Sequence, residues 1–438
     1  MLDRGPCYLA ALAPELIEHI LFQLDSIRTL GNFITSCRYV YECFKRRQWH
    51  LVFHVLSDEL GPVLVDARFL FKFPYANPGD TPYSSIPYWD GLHASAELYR
   101  GMLNADRGHY EQADAAPSPE ELTQLCHTLH EMNFLARTYV TAHQQSYTRH
   151  GSPAGTALLS RAERLRVLRA FYRRQIVCNA WPPTRSGPRA RWTEQDVVAI
   201  SNTSDHRGMP LGLFASFEAW ELQQIVHVNY FVTRLCAALL LVGEEGGQEA
   251  DGLLSPASLH RPIDEADFAE MFSHMDKLTR YLRSHPMPAE AALRSMPWPP
   301  RFTSRQLLDA APAYGQLSER YCLPCLQHAW QAHRFDRYPD PVRDGSAHQQ
   351  QHFAGDNVDL PPFGWVDALD GHYVNWFGEA LHFEVATTSY DSSELSLARL
   401  DTLELWIAAG FALWDRWRVE AIKELDQMRM FRTDWILQ

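Results

Sequence analysis

The sequence has no long hydrophobic run. Its longest apolar stretch, Leu235 to Val242, is far below the ~20 residues that span a bilayer, so no membrane segment is predicted. Near the start of the chain, Asp3, Pro6, Pro14 and Glu15 interrupt the apolar residues, which excludes a secretory signal peptide. The protein is therefore expected to be intracellular, in the cytoplasm or the nucleus.

A disulfide framework is also lacking. The cysteines are scattered without regular spacing, at Cys7, Cys37, Cys43, Cys126, Cys178, Cys236, Cys322 and Cys325. In a reducing compartment most of them should be small buried hydrophobic residues, and no disulfide is predicted.

The common nucleotide and catalytic motifs are missing. There is no Gly-x-Gly-x-x-Gly and no Gly-x-x-x-x-Gly-Lys-Ser/Thr, and residues 151–155, GSPAG, do not place the serine as a nucleophile elbow requires. The run from His130 to Phe134 begins like a zinc-protease helix but lacks the second histidine that would complete a ligand pair. No catalytic activity, metal or cofactor is predicted.

One cluster could still bind zinc or act as a dithiol. Cys322 and Cys325 form a Cys-x-x-Cys pair, followed by His328 and His333. Because no second cysteine pair exists and the histidines follow too closely for a zinc finger, two packed thiols are the favoured interpretation. A thiol or zinc site at Cys322 and Cys325 remains a minor alternative.

The chain also has an excess of acidic residues, and its formal net charge of -13 disfavours binding to nucleic acid. Residues 158–192 depart from this, with nine Arg, no Lys and one Glu, which leaves -21 on the remainder. Helical spacing predicts that Arg166, Arg169 and Arg173 form a ridge opposite an apolar face. This ridge could bind an acidic partner, but pairing with acidic side chains of neighbouring helices is favoured.

What the sequence does contain is helical periodicity, and the predicted fold is all-α. Amphipathic stretches extend over residues 14–24, 27–60, 92–112, 119–147, 158–180, 214–242, 264–284, 303–334 and 395–431. The predicted organisation is an N-terminal helical segment over residues 1–60 and a large irregular helical body over 61–438. Residues 336–361, rich in Pro, Gly, Asp and Gln, are expected to form a mobile loop.

The N-terminal segment predicts three short helices. Pro14 suits a first helical turn, and the first helix carries an apolar stripe made of Leu16, Ile17, Ile20, Leu21 and Leu24. Ser26 is a candidate N-cap for the second helix, and the third is predicted from about Val40 to Leu60. Such a small bundle has little interior of its own and leaves apolar surface for a partner.

This segment resembles the F-box, a family in which Leu-Pro-x-Glu-Leu precedes Ile-Leu, Leu and a second helix that ends in Cys-Arg. The matching residues are Leu12, Pro14, Glu15, Leu16, Ile20, Leu21, Leu24, Leu30, Cys37 and Arg38. The chain departs from the pattern at Ala13, where the family usually has proline, and at Tyr39 and Val40, which replace the frequent aromatic residue.

The resemblance implies a non-catalytic subunit that binds a Skp-type adaptor of a cullin ubiquitin ligase and holds a protein substrate of unknown identity. The partner-binding residues implied by it are Leu12, Pro14, Leu16, Ile20, Leu21, Leu24, Leu30 and Cys37. The alternative is a helical scaffold whose F-box-like helices belong to its own core.

Four further runs, at residues 158–181, 211–231, 361–379 and 410–425, are similar to a set of filamentous-fungal proteins in which an F-box-like start precedes a helical body. That family carries no established reaction. The similarity therefore implies an architecture and no mechanism.

Overall fold

The structure is a computed structural model, which describes residues 8–73, 86–104, 117–149, 151–180, 213–217, 219–245, 271, 274–295, 358–360, 362–364 and 409–425. Of this part, 83% is helical and none forms a strand, which confirms the all-α prediction.

The helices are α1 Pro14–Phe22, α2 Ile27–Ile34, α3 Arg38–Arg46, α4 Gln48–Leu60, α5 Leu64–Lys72, α6 Ile86–Asn104, α7 Pro119–Arg149, α8 Arg161–Ala180, α9 Ala219–Glu245, α10 Met275–Ser284, α11 Pro286–Ser295 and α12 Arg416–Lys423. Short 3-10 helices lie at Tyr8–Ala11, Gly61–Val63, Pro153–Gly155 and Leu213–Ser216. Within these ranges, no helix combines the length and apolar character needed to cross a bilayer.

The chain divides into two compact units. The first contains Met1–Lys72 and Met102–His130, and the second contains Phe73–Gly101 and Glu131–Gln438. The first unit thus extends beyond residue 60, where the sequence pattern ends the F-box-like segment, and includes α5 and the beginning of α7.

The core of the first unit forms between α1, α2, α3 and α4. Its buried members are Ile17, Leu21, Leu30, Val40, Cys43, Phe44, Leu51 and Val55. As predicted, Pro14 occupies the first turn of α1, and Ser26 caps α2, because its hydroxyl accepts a hydrogen bond from the Thr29 N–H at 3.2 Å.

The predicted third helix is wrong in one respect, since it is broken at Arg47. This residue leaves the helical region, with φ -133° and ψ 28°, so that α3 ends at Arg46 and α4 begins at Gln48. A continuous helix over residues 38–60 would be ~35 Å long at 1.5 Å per residue, far longer than α1 or α2. The break allows both α3 and α4 to pack against that short pair.

Hydrogen bonds between distant residues fix the ends of α1 and α2. The buried carboxylate of Glu59 accepts from the Ile27 N–H at 2.8 Å, where α2 begins. His54 Nε2 lies 3.1 Å from the carbonyl oxygen of Phe22, the last residue of α1. These contacts satisfy backbone groups that helix ends leave without partners.

In the second unit, α8 packs against α9, which also packs against α11. A reciprocal pair of hydrogen bonds begins α8: the Glu163 N–H donates to Ser160 Oγ at 3.0 Å, and the Ser160 N–H donates to Glu163 Oε2 at 3.1 Å. This is a capping box, encoded by the spacing Ser-x-x-Glu.

Candidate functional site

The outer face of α1 carries the first candidate site. The predicted apolar stripe divides in the structure, because Ile17 and Leu21 are fully buried in the core whereas Leu16 is 53% exposed. Ile20 is half-buried. We call Leu16 and Ile20 the outer α1 face. A large apolar side chain left this far in water marks a surface on which another molecule can gain contact area.

The other predicted partner-binding residues lie closer to the core. Leu12, Leu24 and Cys37 are half-buried and pack against the core cluster of the first unit. Leu30 is a buried member of that cluster. The structure therefore places Leu21 and Leu30 where they stabilise the unit, and Pro14, half-buried, beside the outer α1 face at the start of the helix.

The second candidate site is a group of polar residues in the second unit. Here α8 is buried on its arginine side as well as on its apolar side. Arg166, Arg169 and Arg173 are at most 2% exposed, so they do not form a ridge in solvent. A buried guanidinium needs compensating partners, because removing its charge from water is costly.

Acidic side chains of this chain supply those partners. Arg166 Nη1 lies 2.7 Å from Asp415 Oδ1, and Arg173 Nη1 lies 2.7 Å from Glu221 Oε1. Arg169 Nη1 lies 3.0 Å from Asp359 Oδ1 and 3.8 Å from Glu221 Oε1. The favoured interpretation, internal pairing of the three arginines, is confirmed.

Arg418 and Glu163 form the centre of this buried network. Arg418 donates through Nε to Glu163 Oε1 at 2.8 Å and through Nη2 to Glu163 Oε2 at 3.1 Å. It also donates to the carbonyl oxygens of Ala154, at 2.6 Å, and Leu158, at 3.0 Å. Such two-point pairing of a guanidinium with a carboxylate is geometrically specific, and here it joins α12 to the first turn of α8.

Two charged neighbours, Arg166 and Glu163, shift the pKa of Asp415 in opposite directions. Burial raises the pKa of its carboxyl, hydrogen bonding to Ser160 and the charge of Arg166 lower it, and the neighbouring Glu163 raises it again. The net direction is upward. The Asp415 backbone N–H donates to Glu163 Oε1 at 3.0 Å, so Glu163 accepts from both the side chain of Arg418 and the backbone that begins α12.

Aromatic side chains pack beside this network. Tyr147 donates its hydroxyl hydrogen to the Ala409 carbonyl at 2.6 Å, and Trp414 Nε1 donates to the Tyr147 hydroxyl at 2.9 Å. His143 Nδ1 lies 3.2 Å from the same hydroxyl. Burial, followed by the charges of His227 and of nearby arginines, lowers the pKa of His143 to about 3. This imidazole therefore stays neutral at physiological pH.

We expect His143→Phe to weaken the loss of stability in acid. With a folded pKa of about 3 against 6.5 for the ordinary group, the unfolded chain binds the proton first as pH falls below 6.5. His143 then removes up to ~1.4 kcal/mol of stability per pH unit between these two values. Phenylalanine keeps the ring and cannot titrate. Urea unfolding of both proteins at several pH values measures the free energy of unfolding. The two curves against pH should run parallel above pH 6.5, and below it the wild-type curve should fall more steeply. Curves that stay parallel below that pH would contradict the assignment.

Burial keeps the thiols of Cys126 and Cys236 in the protonated form. Cys37, Cys43, Cys126, Cys178 and Cys236 are not in disulfides. Burial raises the pKa of Cys126 to about 11, with a smaller contribution from Glu59, and raises the pKa of Cys236 to about 12. These thiols stay protonated, and the thiolate is the reactive form.

The predicted Cys322 and Cys325 cluster, with His328 and His333, lies outside the described residues. Among the residues that the structure describes, no group of three or more His, Cys, Asp or Glu side chains could hold a metal ion. Most of the predicted loop 336–361 also lies outside the described part. At its end, Val358 is buried and its carbonyl accepts a hydrogen bond from Arg169.

Sequence reasoning missed the acidic members of the buried network, Glu163, Glu221, Asp359 and Asp415, and their partner Arg418. One signal was available. Glu163 is the single acidic residue among nine arginines in residues 158–192, and it follows Ser160 at the capping-box spacing. The other partners come from distant parts of the chain and leave no local pattern.

The two features differ in what they can do. The ion network of α8 and α12 is buried except at Asp359, whose side chain is 49% exposed, and this burial suits a structural role. The outer α1 face offers contact area and no reactive group. Comparisons of the chain with protein-family models, with curated proteins and with solved structures found no match.

Proposed function

We propose that the first unit is an F-box-like docking module whose outer α1 face binds a Skp-type adaptor, so that the chain serves as a non-catalytic, substrate-holding subunit of a cullin ubiquitin ligase. The observation that supports this most is the exposure of Leu16, at 53%, on a helix whose inward-facing residues, Ile17 and Leu21, are already buried in the core of the first unit. The F-box-like spacing of the same residues supplies the identity of the partner.

The energetics suit a reversible protein contact. Full burial of a leucine or isoleucine side chain contributes ~1.5–3 kcal/mol, and part of that gain remains available on a half-exposed residue. Covering Leu16 and Ile20 together therefore contributes on the order of 2 kcal/mol, which is more than tenfold in affinity. The core beneath needs no rearrangement to present them.

We expect Leu16→Asp with Ile20→Asp to abolish capture of a purified Skp-type adaptor while the protein keeps its melting temperature. The charged side chains would be desolvated without partners in the contact. In the free protein Leu16 is 53% exposed and Ile20 is half-buried, so a carboxylate at either position still reaches water. Adaptor pull-down and thermal melting followed by circular dichroism measure the two effects.

The chain offers a matched control on α6, in the second unit. Leu98 is 51% exposed, nearly the same as Leu16, so Leu98→Asp introduces the same change on an equally exposed helical leucine. Capture should survive it. A Leu98→Asp variant that loses the adaptor as completely as the α1 variant, or a wild-type chain that captures none, would contradict the proposal.

The competing proposal is a non-catalytic helical scaffold, and the burial of Leu21 and Leu30 within the first unit favours it. Leu21→Ala should cost ~2–5 kcal/mol of stability under either proposal, because it opens a cavity in the core. The scaffold is supported if the α1 variant melts normally and neither it nor the wild type binds an adaptor.

A further inference from the structure

One face of α3 presents cations around a partly exposed aromatic ring. Arg38, Tyr41 and Lys45 are spaced three and four residues apart, which places them on one side of the helix, and Arg46 flanks them. The Arg38 side chain is 91% exposed and Tyr41 is 41% exposed. Lys45 Nζ lies 5.8 Å from the centre of the Tyr41 ring. We call these four residues the α3 cationic face.

Helix stability does not account for Arg38. It is the first residue of α3, preceded by Cys37, whose side chain makes no capping hydrogen bond. The N-terminal end of a helix carries partial positive charge, so a cation there is unfavourable. Glu42 offsets part of this at 3.8 Å, but an ion pair so exposed contributes little.

The face contrasts with Arg166, Arg169 and Arg173 of the second unit, which are buried against acids. Lys45 and Arg46 are exposed, and among the described residues neither has an acidic side chain within ion-pair distance. This holds in a chain whose formal net charge is -13, where acidic residues outnumber basic ones. Lys45 and Arg46 are therefore available to a ligand of opposite charge, whereas Arg38 shares its charge with the exposed carboxylate of Glu42.

We propose that the α3 cationic face binds an acidic segment of a partner protein, with an apolar side chain of that segment packed on the Tyr41 ring. The carboxylates would pair with Lys45 and Arg46, and with Arg38 in competition with Glu42, and these cations supply charge complementarity and steering. Tyrosine gives contact area at low entropic cost. The residues differ from those of the outer α1 face, so the inference does not depend on adaptor binding there.

Nucleic acid and anionic membranes are less suitable occupants. Both are extended polyanions, whose binding strength grows with the number of phosphates neutralised. The face offers three cations, one of them paired with Glu42, and the net charge of the chain repels an extended anion beyond it. A short acidic segment needs only a few contacts.

Fluorescence anisotropy of labelled peptides tests the inference on the full chain. The probe is a short peptide of Glu and Asp with one central Leu, compared with a twin in which Gln and Asn replace every acid. We expect the acidic peptide alone to bind, and its affinity to fall as salt rises. Lys45→Glu with Arg46→Glu should weaken it about tenfold or more, and Tyr41→Ala should weaken it by a smaller factor that depends on the central Leu.

Arg280→Glu provides the charge control, because that side chain, on α10 in the second unit, is 72% exposed. It should leave binding unchanged, and all variants should melt like the wild type. The inference is overturned if the twin binds equally well, if Arg280→Glu weakens binding as much as the α3 variant, or if the acidic peptide does not bind. Tighter, α3-dependent binding of single-stranded DNA or phosphatidylserine vesicles would also overturn it, since the face would then serve nucleic acid or membrane.

Discussion

Replacing Glu163 with alanine is expected to lower the free energy of unfolding by ~3–5 kcal/mol, because it leaves the buried guanidinium of Arg418 without its carboxylate. Arg418 is 1% exposed and donates two hydrogen bonds to Glu163. The same carboxylate accepts from the Asp415 and Ser160 N–H groups, which would also lose their partner. The midpoint of urea unfolding, followed by circular dichroism, measures the change.

Glu420 on α12 is a matched control. Its carboxylate pairs with Arg416 at 2.7 Å, a distance close to that of the buried pair, but both side chains are nearly half exposed. Glu420→Ala should cost less than ~1 kcal/mol, since an exposed ion pair gains little over its hydrated parts. Equal losses from Glu163→Ala and Glu420→Ala would contradict the role given to burial.

A double substitution separates the charge from the contacts. In Glu163→Ala with Arg418→Met, neither partner remains as an unpaired buried charge, so part of the loss should be recovered. Recovery will be incomplete, because the carbonyl groups of Ala154 and Leu158 lose the donor that Arg418 provides. If the double variant loses as much stability as the two single variants lose when their losses are added, or more, the pair is not coupled in this way.

The helices of the first unit followed from the sequence because their signals are local. Pro14, Ser26 and the apolar spacing of α1 each act within one or two turns of the chain. The break at Arg47 has no such signal, because the spacing of Val40, Phe44 and Leu51 fits one apolar face of a continuous helix across it. It depends on the length of α1 and α2, against which α3 and α4 pack, and that is a tertiary constraint.

The environment of α8 shows a different limit. Periodicity correctly predicted an apolar face on α8, where Leu165, Leu168 and Ile176 are buried, but it could not say whether the arginine side meets water or acidic partners. The partners arrive from residues 221, 359 and 415, more than 40 positions away. The charge balance of the chain favoured their existence and could not identify them.

At the candidate site, the sequence pattern named one stripe and the structure divides it. Leu16 and Leu21 have the same character and share one helix, yet one is exposed and the other is in the core. Which part of a wide apolar stripe faces inward is decided by where α3 and α4 lie against α1. That placement depends on contacts such as the hydrogen bond from the Tyr39 hydroxyl to the Leu12 carbonyl, at 2.9 Å.

Gly410 is a position where an added methyl group meets both an unfavourable backbone conformation and close packing. Its φ is +72°, which side chains other than glycine rarely adopt, and a Cβ there would lie 2.8 Å from both Trp414 Nε1 and the Tyr139 hydroxyl. Both aromatic residues are buried, so neither can move aside easily. The backbone cost of ~1–2 kcal/mol and an overpacking cost of ~1–3 kcal/mol should add, giving a loss of ~2–5 kcal/mol for Gly410→Ala.

Two other glycines separate those contributions. Gly151 also has φ +72° but has open space around a Cβ, so Gly151→Ala should show the backbone cost alone, ~1–2 kcal/mol. Gly31 lies within α2 with open space and no positive φ, and Gly31→Ala should stabilise the protein by up to ~1 kcal/mol through helix propensity. Urea unfolding of the three variants should therefore rank them Gly31→Ala, Gly151→Ala and Gly410→Ala in decreasing stability. If Gly410→Ala costs no more than Gly151→Ala, the close packing of Trp414 and Tyr139 around residue 410 is not what makes glycine necessary there.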